Sequence, residues 1–462
     1  MPATDETPPS RRWKVPALLF AVVAVVYAAT ISTAPSFDVY AADFAAWHIA
    51  ETGDPVPEMA DFPALDDNII RETWIVRTAD GREAVGRAPG TIAATVPAYL
   101  LADSDHLTAV PGGVAAALLT AASVTLLFLL LRDRTGARAA LVAAAVFGLA
   151  TPVWSVAANG MWPHTITVFA ILGMAWAADR DRWWLVGLFG GVALWGRLHA
   201  AVICAVLGVV VAVVRRRPLL AVRVGVVSGA LLALMSVWTH WMYGSWDPSS
   251  GYRAGDFTGN ADDNLVNLPN FLGFWVAPDR GLLVWTPLLL VLLPALVRGW
   301  RELPDWSRAL VGAGVVYLLV QGLLVRFSGG DAFYGYRTSL ELLACATPAL
   351  ALSAEHMGAT ARRLFAPVAL LQLAMIAPGA VHEDLGLLVA DVWHKNSFWW
   401  QLFERPGAVV PVAAGALAVG SAFAYVVLSG QDGPRGERGS GGMAGRRAVR
   451  GRRGPQDLRR RA

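Results

Sequence analysis

The chain has 462 residues, of which 55% are hydrophobic and only 16% are charged, and its formal net charge at pH 7 is +3. A soluble protein of this length could not bury so much apolar surface, and the apolar residues come in runs close to the ~20 that cross a bilayer as a helix. These runs are too long and too continuous for barrel strands, so we predict an all-α, polytopic transmembrane helical bundle.

The first elements in the chain are a polar N-terminus and an apolar run. Residues 1–14 are predicted to be disordered and cytoplasmic, and residues from about 15–32 to form the first span. Segment 33–108 opens with a strongly acidic stretch, so the positive-inside rule places it outside the cell. Within it, residues 89–102 are apolar but short, and counting them as a span would put the basic loop 132–138 outside. We therefore predict an extracytoplasmic first loop that carries amphipathic juxtamembrane helices.

Eleven further spans follow if the basic loops stay inside, which makes both termini cytoplasmic. Their predicted positions are about 109–131, 139–156, 164–178, 183–197, 199–214, 219–241, 281–298, 309–326, 338–354, 364–380 and 407–428. The membrane domain then covers about 15–428 with about 12 spans, and 429–462 is predicted to be a disordered, arginine-rich cytoplasmic tail. For this tail, attraction to anionic lipid is a moderate alternative and nucleic-acid binding a weak one, and we predict no nucleic-acid partner. Cys204 and Cys345 lie inside apolar runs and are predicted to be packing residues.

The first cluster of unusual residues follows the first span. Tyr40, Phe44 and Trp47 recur at helical spacing and predict a helix whose aromatic face lies on the membrane interface. Asp38 precedes this stripe and Asp43 lies off it. Two compatible interpretations of Asp38 are open: it caps the helix N-terminus, or it is a carboxylate that activates an acceptor at the membrane boundary.

Further along the chain, charged and polar residues interrupt the predicted outer ends of the spans. His164 begins span 4, and Arg197 and His199 stand between two apolar runs. Charged groups at membrane depth are costly and usually have a partner, although snorkelling at a turn would remove much of that cost. The alternative for Arg197 is a phosphate ligand, because its guanidinium is permanently charged and bidentate.

Two later outer segments are rich in glycine, aromatic and charged residues. One contains Arg280, and the other, 327–337, ends with Arg337 at the start of span 10. An arginine beside the N-terminus of a helix suits an anion, and a plain turn with an interfacial arginine is the alternative. The chain has no P-loop and no paired-cysteine or His-Glu-x-x-His motif, so we predict no metal and no cofactor.

The order of these features resembles the GT-C superfamily of membrane glycosyltransferases, the group that includes protein O-mannosyltransferases and the lipid A aminoarabinose transferase. The resemblance covers roughly residues 15–380. It is carried by the early Asp38, the amphipathic helix, a second surface helix that opens with Pro89-Gly-Thr-Ile, a short span that ends in Gly196-Arg197, and the stretches 278–290 and 329–337.

The resemblance implies transfer of a sugar from a polyprenyl-phosphate donor to an extracytoplasmic glycan, lipid or protein of the cell envelope, typically with inversion. The early-loop carboxylate of the family maps onto Asp38, with Asp43 as second choice, and Asp38 is followed by Val39, unlike the Asp-Glu pair of O-mannosyltransferases. The residues assigned to donor phosphate and sugar binding are His164, Arg197, His199, Arg280, Asp331, Tyr334, Tyr336 and Arg337.

Two other functions remain possible from the sequence. A transporter or lipid flippase requires ionisable residues in mid-span and paired broken helices. A non-catalytic membrane scaffold would tolerate changes in the acidic outer loop. The glycosyltransferase hypothesis instead makes a spatial prediction, namely that Asp38, Arg197 and Arg337 line a single extracytoplasmic cavity.

Overall fold

The computed structural model describes residues 9–57, 74–252, 267–331 and 333–429. Its helices are α1 (Pro9–Ala28), α2 (Phe37–Thr52), α3 (Pro89–Ala102), α4 (Val110–Thr135), α5 (Ala137–Leu149), α6 (Pro163–Asp179), α7 (Trp183–Gly196), α8 (Ala201–Val214), α9 (Pro218–Tyr243), α10 (Leu268–Val276), α11 (Leu282–Trp285), α12 (Leu288–Gly299), α13 (Asp305–Leu324), α14 (Leu340–Leu352), α15 (Ala359–Val381), α16 (Ser397–Glu404) and α17 (Pro406–Ser429). Short helical turns at Val153–Ala157, Leu198–Ala200, Ser353–His356, Glu383–Leu385 and Val389–Asp391 connect some of them.

Within the described ranges, five helices are long and apolar enough to cross a membrane unaided: α4, α9, α13, α15 and α17. They correspond to predicted spans 2, 7, 9, 11 and 12 and make the chain a multi-pass membrane protein. Spans 1, 3, 5, 6 and 8 coincide with shorter apolar helices, and α6 and α14 occupy the positions of spans 4 and 10. The number of twelve crossings therefore stays a prediction.

Three boundaries of the predicted spans differ from the ends of the helices in the structure. Helix α1 begins at Pro9, within the N-terminus that was predicted to be disordered. The helix of span 3 ends at Leu149, and a separate turn follows it. Span 8 is broken into α11 and α12 around Pro287, because proline cannot donate the backbone hydrogen bond that a continuous helix needs there. Residues 1–8 and 430–462, which include most of the predicted arginine tail, lie outside the described residues.

The segment that was predicted to lie outside contains a β-hairpin that an all-α prediction omits. Strands β1 (Ile75–Arg77) and β2 (Glu83–Val85) pair antiparallel, with Val76 opposite Ala84. The hairpin turn includes Gly81, whose φ of 88° suits glycine. The strand residues include the β-branched Ile75, Val76 and Val85, which fit a pleated surface, but six residues of strand give almost no periodic signal in a sequence.

Helix α2 exists where it was predicted, and part of its aromatic face is buried within the chain. Phe44 is fully buried, and most of the small residues around the helix are buried with it. The helix packs against α3, and the indole Nε1 of Trp47 donates a hydrogen bond to the Ser104 carbonyl at 2.9 Å. Phe44 and Trp47 of the aromatic stripe therefore pack against other parts of the chain, and the position of the helix at the membrane interface stays a prediction.

The loops fall into two groups at opposite ends of the bundle. At one end, Arg134 after α4 pairs with Asp179 at the end of α6 at 2.6 Å, and Arg215 after α8 pairs with Asp305 at the start of α13 at 2.6 Å. All of these loops were predicted to be cytoplasmic. The loops predicted to be outside, including those with Asp38 and Arg337, meet at the other end. The grouping agrees with the alternation of helix direction that the charge rule requires.

The two cysteines behave as predicted. Cys204 on α8 and Cys345 on α14 are both free thiols, and both are buried in the apolar core. Each also lies close to a glycine of a neighbouring helix, Gly190 and Gly314 respectively. They therefore fill space where helices pack closely, and they form no disulfide.

Candidate active site

A cavity of about 560 Å³ brings together residues from distant parts of the chain. Asp38 reaches it from the first turn of α2, Arg197 from the turn after α7, and Arg337 from the loop before α14. His164 and His199 also line it. Five of the ten residues assigned from the sequence thus share one cavity at the predicted extracytoplasmic end.

The carboxylate of Asp38 is held between two guanidinium groups. Arg337 bonds to Oδ2, and Arg87 lies 3.1 Å from Oδ1. The residue at the N-cap of α2 is Ser36, so the carboxylate of Asp38 serves these ion pairs and not a helix cap. Burial alone would raise the pKa of Asp38, but the charges of Arg337 and Arg87 outweigh it and lower the pKa to about 2. Asp38 is therefore ionised at neutral pH.

Arg337 is positioned by a glycine turn and by aromatic rings. One Nη atom donates to the carbonyl of Gly329, whose φ of 67° is easily adopted only by glycine. A Cβ at position 329 would also lie 3.1 Å from Nε of Arg337, so a larger residue there would crowd the guanidinium. The guanidinium lies 4.6 Å from the ring centre of Trp162 and 4.9 Å from that of Phe333. These contacts hold a cation while leaving its charge available to the cavity.

Arg87 was not assigned to the site from the sequence. The hairpin leads directly into it, and its guanidinium lies 4.5 Å over the ring of Trp74. Its Nε is buried and has no hydrogen-bond partner among the described residues. In the sequence Arg87 is one of the few bases in an acidic loop, and no local pattern marks its pairing with Asp38.

Behind the cavity, Glu341 and His164 orient Arg197. His164 Nδ1 lies 2.8 Å from Oε1 of Glu341, and its Nε2 lies 3.0 Å from Nη1 of Arg197. A neutral ring with its hydrogen on Nδ1 satisfies both contacts, since it donates to the carboxylate and accepts from the guanidinium. Glu341 is fully buried and also accepts a bond from Thr167 at 2.8 Å. Sequence reasoning missed Glu341, although an acidic residue inside a predicted span is itself a signal of a site.

His199 belongs to a neutral hydrogen-bonded group at the cavity wall. Its Nε2 lies 2.6 Å from Oε1 of Gln321, and its ring stacks on Tyr317 with centroids 5.3 Å apart. Tyr252, on the other side, accepts a bond from the backbone N–H of Leu198 at 3.3 Å. These contacts fix the Arg197–His199 turn as part of the wall.

Among the described residues that line the cavity, positive charges outnumber negative ones. Four of them are arginines, Arg87, Arg197, Arg326 and Arg337, and one, Asp38, is a carboxylate. Leu324, Val325 and Val389 add apolar wall. Such a site favours an anionic group attached to an apolar body.

Comparisons with known proteins were made for the whole chain. No family model matches it, and no curated protein matches it. Among solved structures it is similar to the crystal structure of ArnT from Cupriavidus metallidurans in the apo state, with 17% sequence identity over 91% of this chain and 77% of that chain and a TM-score of 0.48. At this level of similarity, the function has to be argued from the residues of the cavity itself.

Four of the assigned residues do not reach the cavity because their side chains hold the fold together. Arg280 is fully buried, pairs with Asp279 at 2.7 Å, and donates to backbone carbonyls including that of Gly335 at 3.0 Å. Tyr334 and Tyr336 are also buried. The hydroxyl of Tyr334 donates to the Met375 carbonyl at 3.0 Å, and that of Tyr336 lies 2.7 Å from the Thr286 hydroxyl. Asp331 is exposed and accepts the backbone N–H of Val389 at 2.6 Å.

Asp43, the second catalytic candidate, is buried away from the cavity. Neither carboxyl oxygen has a hydrogen-bond partner among the described residues, and the carboxyl packs directly against Gly112 of α4. Burial raises the pKa of Asp43 well above its ordinary value. A carboxyl in this position fits helix packing better than chemistry on a substrate.

We predict that Asp43 makes the protein less stable as the pH rises. Its folded pKa is raised, so its contribution is fully present below the ordinary carboxyl pKa of about 4 and is lost as the pH rises toward the folded pKa, at about 1.4 kcal/mol per pH unit. Asp43→Asn should flatten this slope and raise the melting temperature more at pH 7 than at pH 5. Thermal unfolding in detergent at several pH values measures it. Glu51→Gln, an exposed change on the same helix, is the control, and an unchanged slope in Asp43→Asn would contradict the prediction.

Within the described residues, one group of three side chains has the spacing of a metal site: Glu302, Glu355 and His356. It lies beside the ends of α12 and α14, at the predicted cytoplasmic end of the bundle, and its carboxylates are exposed. It has no part in the cavity chemistry.

Proposed function

We propose that the protein is an integral-membrane glycosyltransferase that moves a sugar from a polyprenyl-phosphate donor to an extracytoplasmic glycan, lipid or protein acceptor. The observation that supports it most is the carboxylate of Asp38 held by Arg337 and Arg87 in a cavity with four arginines. A phosphate needs such cations, and a hydroxyl acceptor needs such a carboxylate. The extracytoplasmic position follows from the charge rule, since all the loops that form the cavity are predicted to be outside.

The ion pairs of Asp38 imply that the donor binds before Asp38 can act as a base. A carboxylate whose pKa is about 2 is a weak base. When the donor binds, its phosphate competes for the guanidinium groups of Arg337 and Arg87. As these contacts weaken, the pKa of Asp38 rises and its carboxylate becomes available to a proton donor. The donor thus prepares the base that the second substrate needs.

In the transfer step, the donor, the acceptor hydroxyl and Asp38 account for every bond, electron pair and proton. The acceptor hydroxyl approaches the anomeric carbon on the face opposite the phosphate. Its oxygen forms the new glycosidic bond while the bond between the anomeric carbon and the phosphate oxygen breaks, and its proton passes to Asp38. The leaving polyprenyl phosphate keeps the electron pair, and Arg337, Arg87 and Arg197 stabilise its charge as it develops. Inversion at the anomeric carbon follows from this direction of attack.

The direct test uses purified protein in lipid nanodiscs with synthetic polyprenyl-phosphate hexoses and pentoses as donors. Release of polyprenyl phosphate that depends on the protein and on an added acceptor is the expected result. Polyprenyl phosphate itself should inhibit, because it occupies the same arginines. Failure of every donor to react, together with no binding of polyprenyl phosphate, would contradict the proposal.

A lipid transporter or flippase is the second candidate, and Glu341 is the observation that favours it. This carboxylate and His164 lie buried in predicted spans, where ionisable groups often mark a transport pathway. Both are, however, committed to Arg197 at the wall of the cavity. Movement of a fluorescent polyprenyl phosphate across proteoliposomes, without sugar release, would favour transport over transfer.

We predict that His164 acts as a positioning residue for Arg197. His164→Ala should raise the donor KM about tenfold, the value of one hydrogen bond to a charged group, with a smaller effect on kcat. His164→Gln should recover part of the loss, because its amide oxygen can occupy the place of Nε2 and accept from the guanidinium. Exposed His106→Ala is the control. Equal KM values for the Ala and Gln variants would argue for a purely structural histidine.

A further inference from the structure

A second cavity, of about 630 Å³, lies between α5, α12, α14 and α15. None of the residues that line it lines the cavity of Asp38. One end lies beside Arg138 and Met357, near the predicted cytoplasmic loops. The other end lies at Thr286 and Gln372, which are hydrogen-bonded to Tyr336 and to the Ala150 carbonyl. Its volume is in the range of cavities that hold small ligands.

The lining of this cavity is apolar, because its polar side chains are hydrogen-bonded within the protein. The hydroxyl of Thr151 donates to the Phe147 carbonyl at 2.6 Å, and that of Thr347 donates to the Leu343 carbonyl at 2.7 Å. The amide of Gln372 is bonded to the backbone at both ends, accepting from Leu288 at 2.6 Å and donating at 3.0 Å. Because these polar groups already have partners in the protein, the cavity suits an apolar chain and not a polar solute.

The depth of the cavity corresponds to one leaflet of a bilayer. Along α14 and the turn after it, the lining runs from Leu343 to Ala354, or ~16 Å at about 1.5 Å per residue. This is about half of the ~30 Å hydrocarbon core of a membrane. The length of the cavity therefore matches that of one acyl chain of a leaflet, entering at the Arg138 end.

Arg138 gives the open end its charge. Its side chain is exposed on the first turn of α5 and makes no ion pair or hydrogen bond with any residue in the described ranges. Its neighbours differ: Arg134 pairs with Asp179 at 2.6 Å, and Arg180 lies 3.6 Å from Asp133. An unpaired arginine where an apolar cavity meets the membrane surface is complementary to the phosphate of a lipid headgroup.

We propose that this cavity binds one acyl chain of an anionic phospholipid from the leaflet at the Arg138 end, with its phosphate on Arg138. The polyprenyl tail of the donor is a less suitable occupant. Its phosphate would have to lie at Asp38, in a cavity at the other end of the bundle with no shared lining. The bound phospholipid fills the space between α5, α12 and α14, so it stabilises the folded bundle by mass action. This site does not depend on the transferase proposal.

The test compares phosphatidylglycerol with phosphatidylcholine of identical acyl chains, using the full-length protein in detergent. Native mass spectrometry should detect one phosphatidylglycerol retained in preference to phosphatidylcholine, and phosphatidylglycerol should raise the melting temperature more. Arg138→Gln should weaken phosphatidylglycerol binding about fivefold, the contribution of one arginine near an anionic surface, and should weaken phosphatidylcholine binding less, because the choline ammonium of that lipid offsets the charge of its phosphate. Ala143→Phe, which places a ring inside the cavity, should abolish the retention of both lipids.

Arg223→Gln is the matched control, since Arg223 is exposed on the first turns of α9, near the same end of the bundle, and does not line the cavity. Unchanged phosphatidylglycerol binding by Arg138→Gln would overturn the headgroup assignment even if Ala143→Phe fails to fold. Displacement of the retained lipid by polyprenyl phosphate, but not by phosphatidylglycerol, would show that the donor occupies the cavity and would also overturn the proposal.

Discussion

Asp38→Asn is expected to lower the rate of sugar transfer by about 10²–10⁴-fold, the usual contribution of a positioned general base. Asparagine keeps the size of the side chain and an oxygen that can accept from Arg337, so the fold and donor binding should survive. What it loses is the ability to take a proton from the acceptor hydroxyl. The measurement is release of polyprenyl phosphate in nanodiscs at saturating donor.

The control for this experiment is Asp384→Asn. Asp384 also belongs to the predicted outer end and pairs with an arginine, Arg405, at 2.7 Å, but it is exposed and lies outside the Asp38 cavity. Its loss should leave transfer within about twofold, since surface ion pairs contribute little. Undiminished turnover by a well-folded Asp38→Asn protein would remove Asp38 from the chemistry and would favour a scaffold or transporter.

Arg337→Gln is expected to lower kcat/KM for the donor by about 10²–10³-fold, the cost of removing one group that stabilises developing negative charge. Arg337→Lys should recover only part of the activity, because an ammonium is a point charge without the planar fork that binds two phosphate oxygens. Arg405→Gln, an exposed arginine at the same end, should have no comparable effect. A full recovery by lysine would mean that charge alone is required at this position.

The same variant has a second, independent readout in the pH dependence of transfer. Arg337 is the strongest of the charges that lower the pKa of Asp38 to about 2. Without it the pKa of Asp38 rises, so Asp38 becomes protonated at a higher pH and the acid limb of the pH–rate profile of kcat/KM should move upward. An acid limb that stays in place would show that Arg337 and Asp38 do not interact in the working enzyme.

Five of the ten residues that were selected from the sequence line the cavity, and their roles stay predictions. Arg197 was selected because a charged side chain between apolar runs is costly and needs a reason, and Arg337 because it stands at the start of a predicted span. Arg280 was selected from a similar outer segment, but its guanidinium is held by Asp279 and backbone carbonyls inside the fold. The two situations look alike in a sequence, because the backbone carbonyls that Arg280 reaches belong to Phe333, Gly335 and Leu387, far along the chain.

Arg87 and Glu341 illustrate the reverse case. Arg87 stands in an acidic loop, where a base attracts no notice, and the hairpin brings it to Asp38. Glu341 was overlooked within an apolar run, and its meaning comes from His164 and Thr167 on another helix. Helix α2 was predicted correctly as an element, but part of the face that was assigned to the membrane packs against other parts of the chain.

By itself the sequence determined that this is a helical membrane protein, because runs of apolar residues can satisfy their backbone hydrogen bonds in lipid only as helices. It also determined, through the basic loops, which loops share an end of the bundle. The tertiary structure alone decided which charges meet. Asp38 and Arg337 are 299 residues apart, and no local pattern encodes their contact. Their pairing depends on how some fifteen intervening elements pack, and packing is a property of the whole chain.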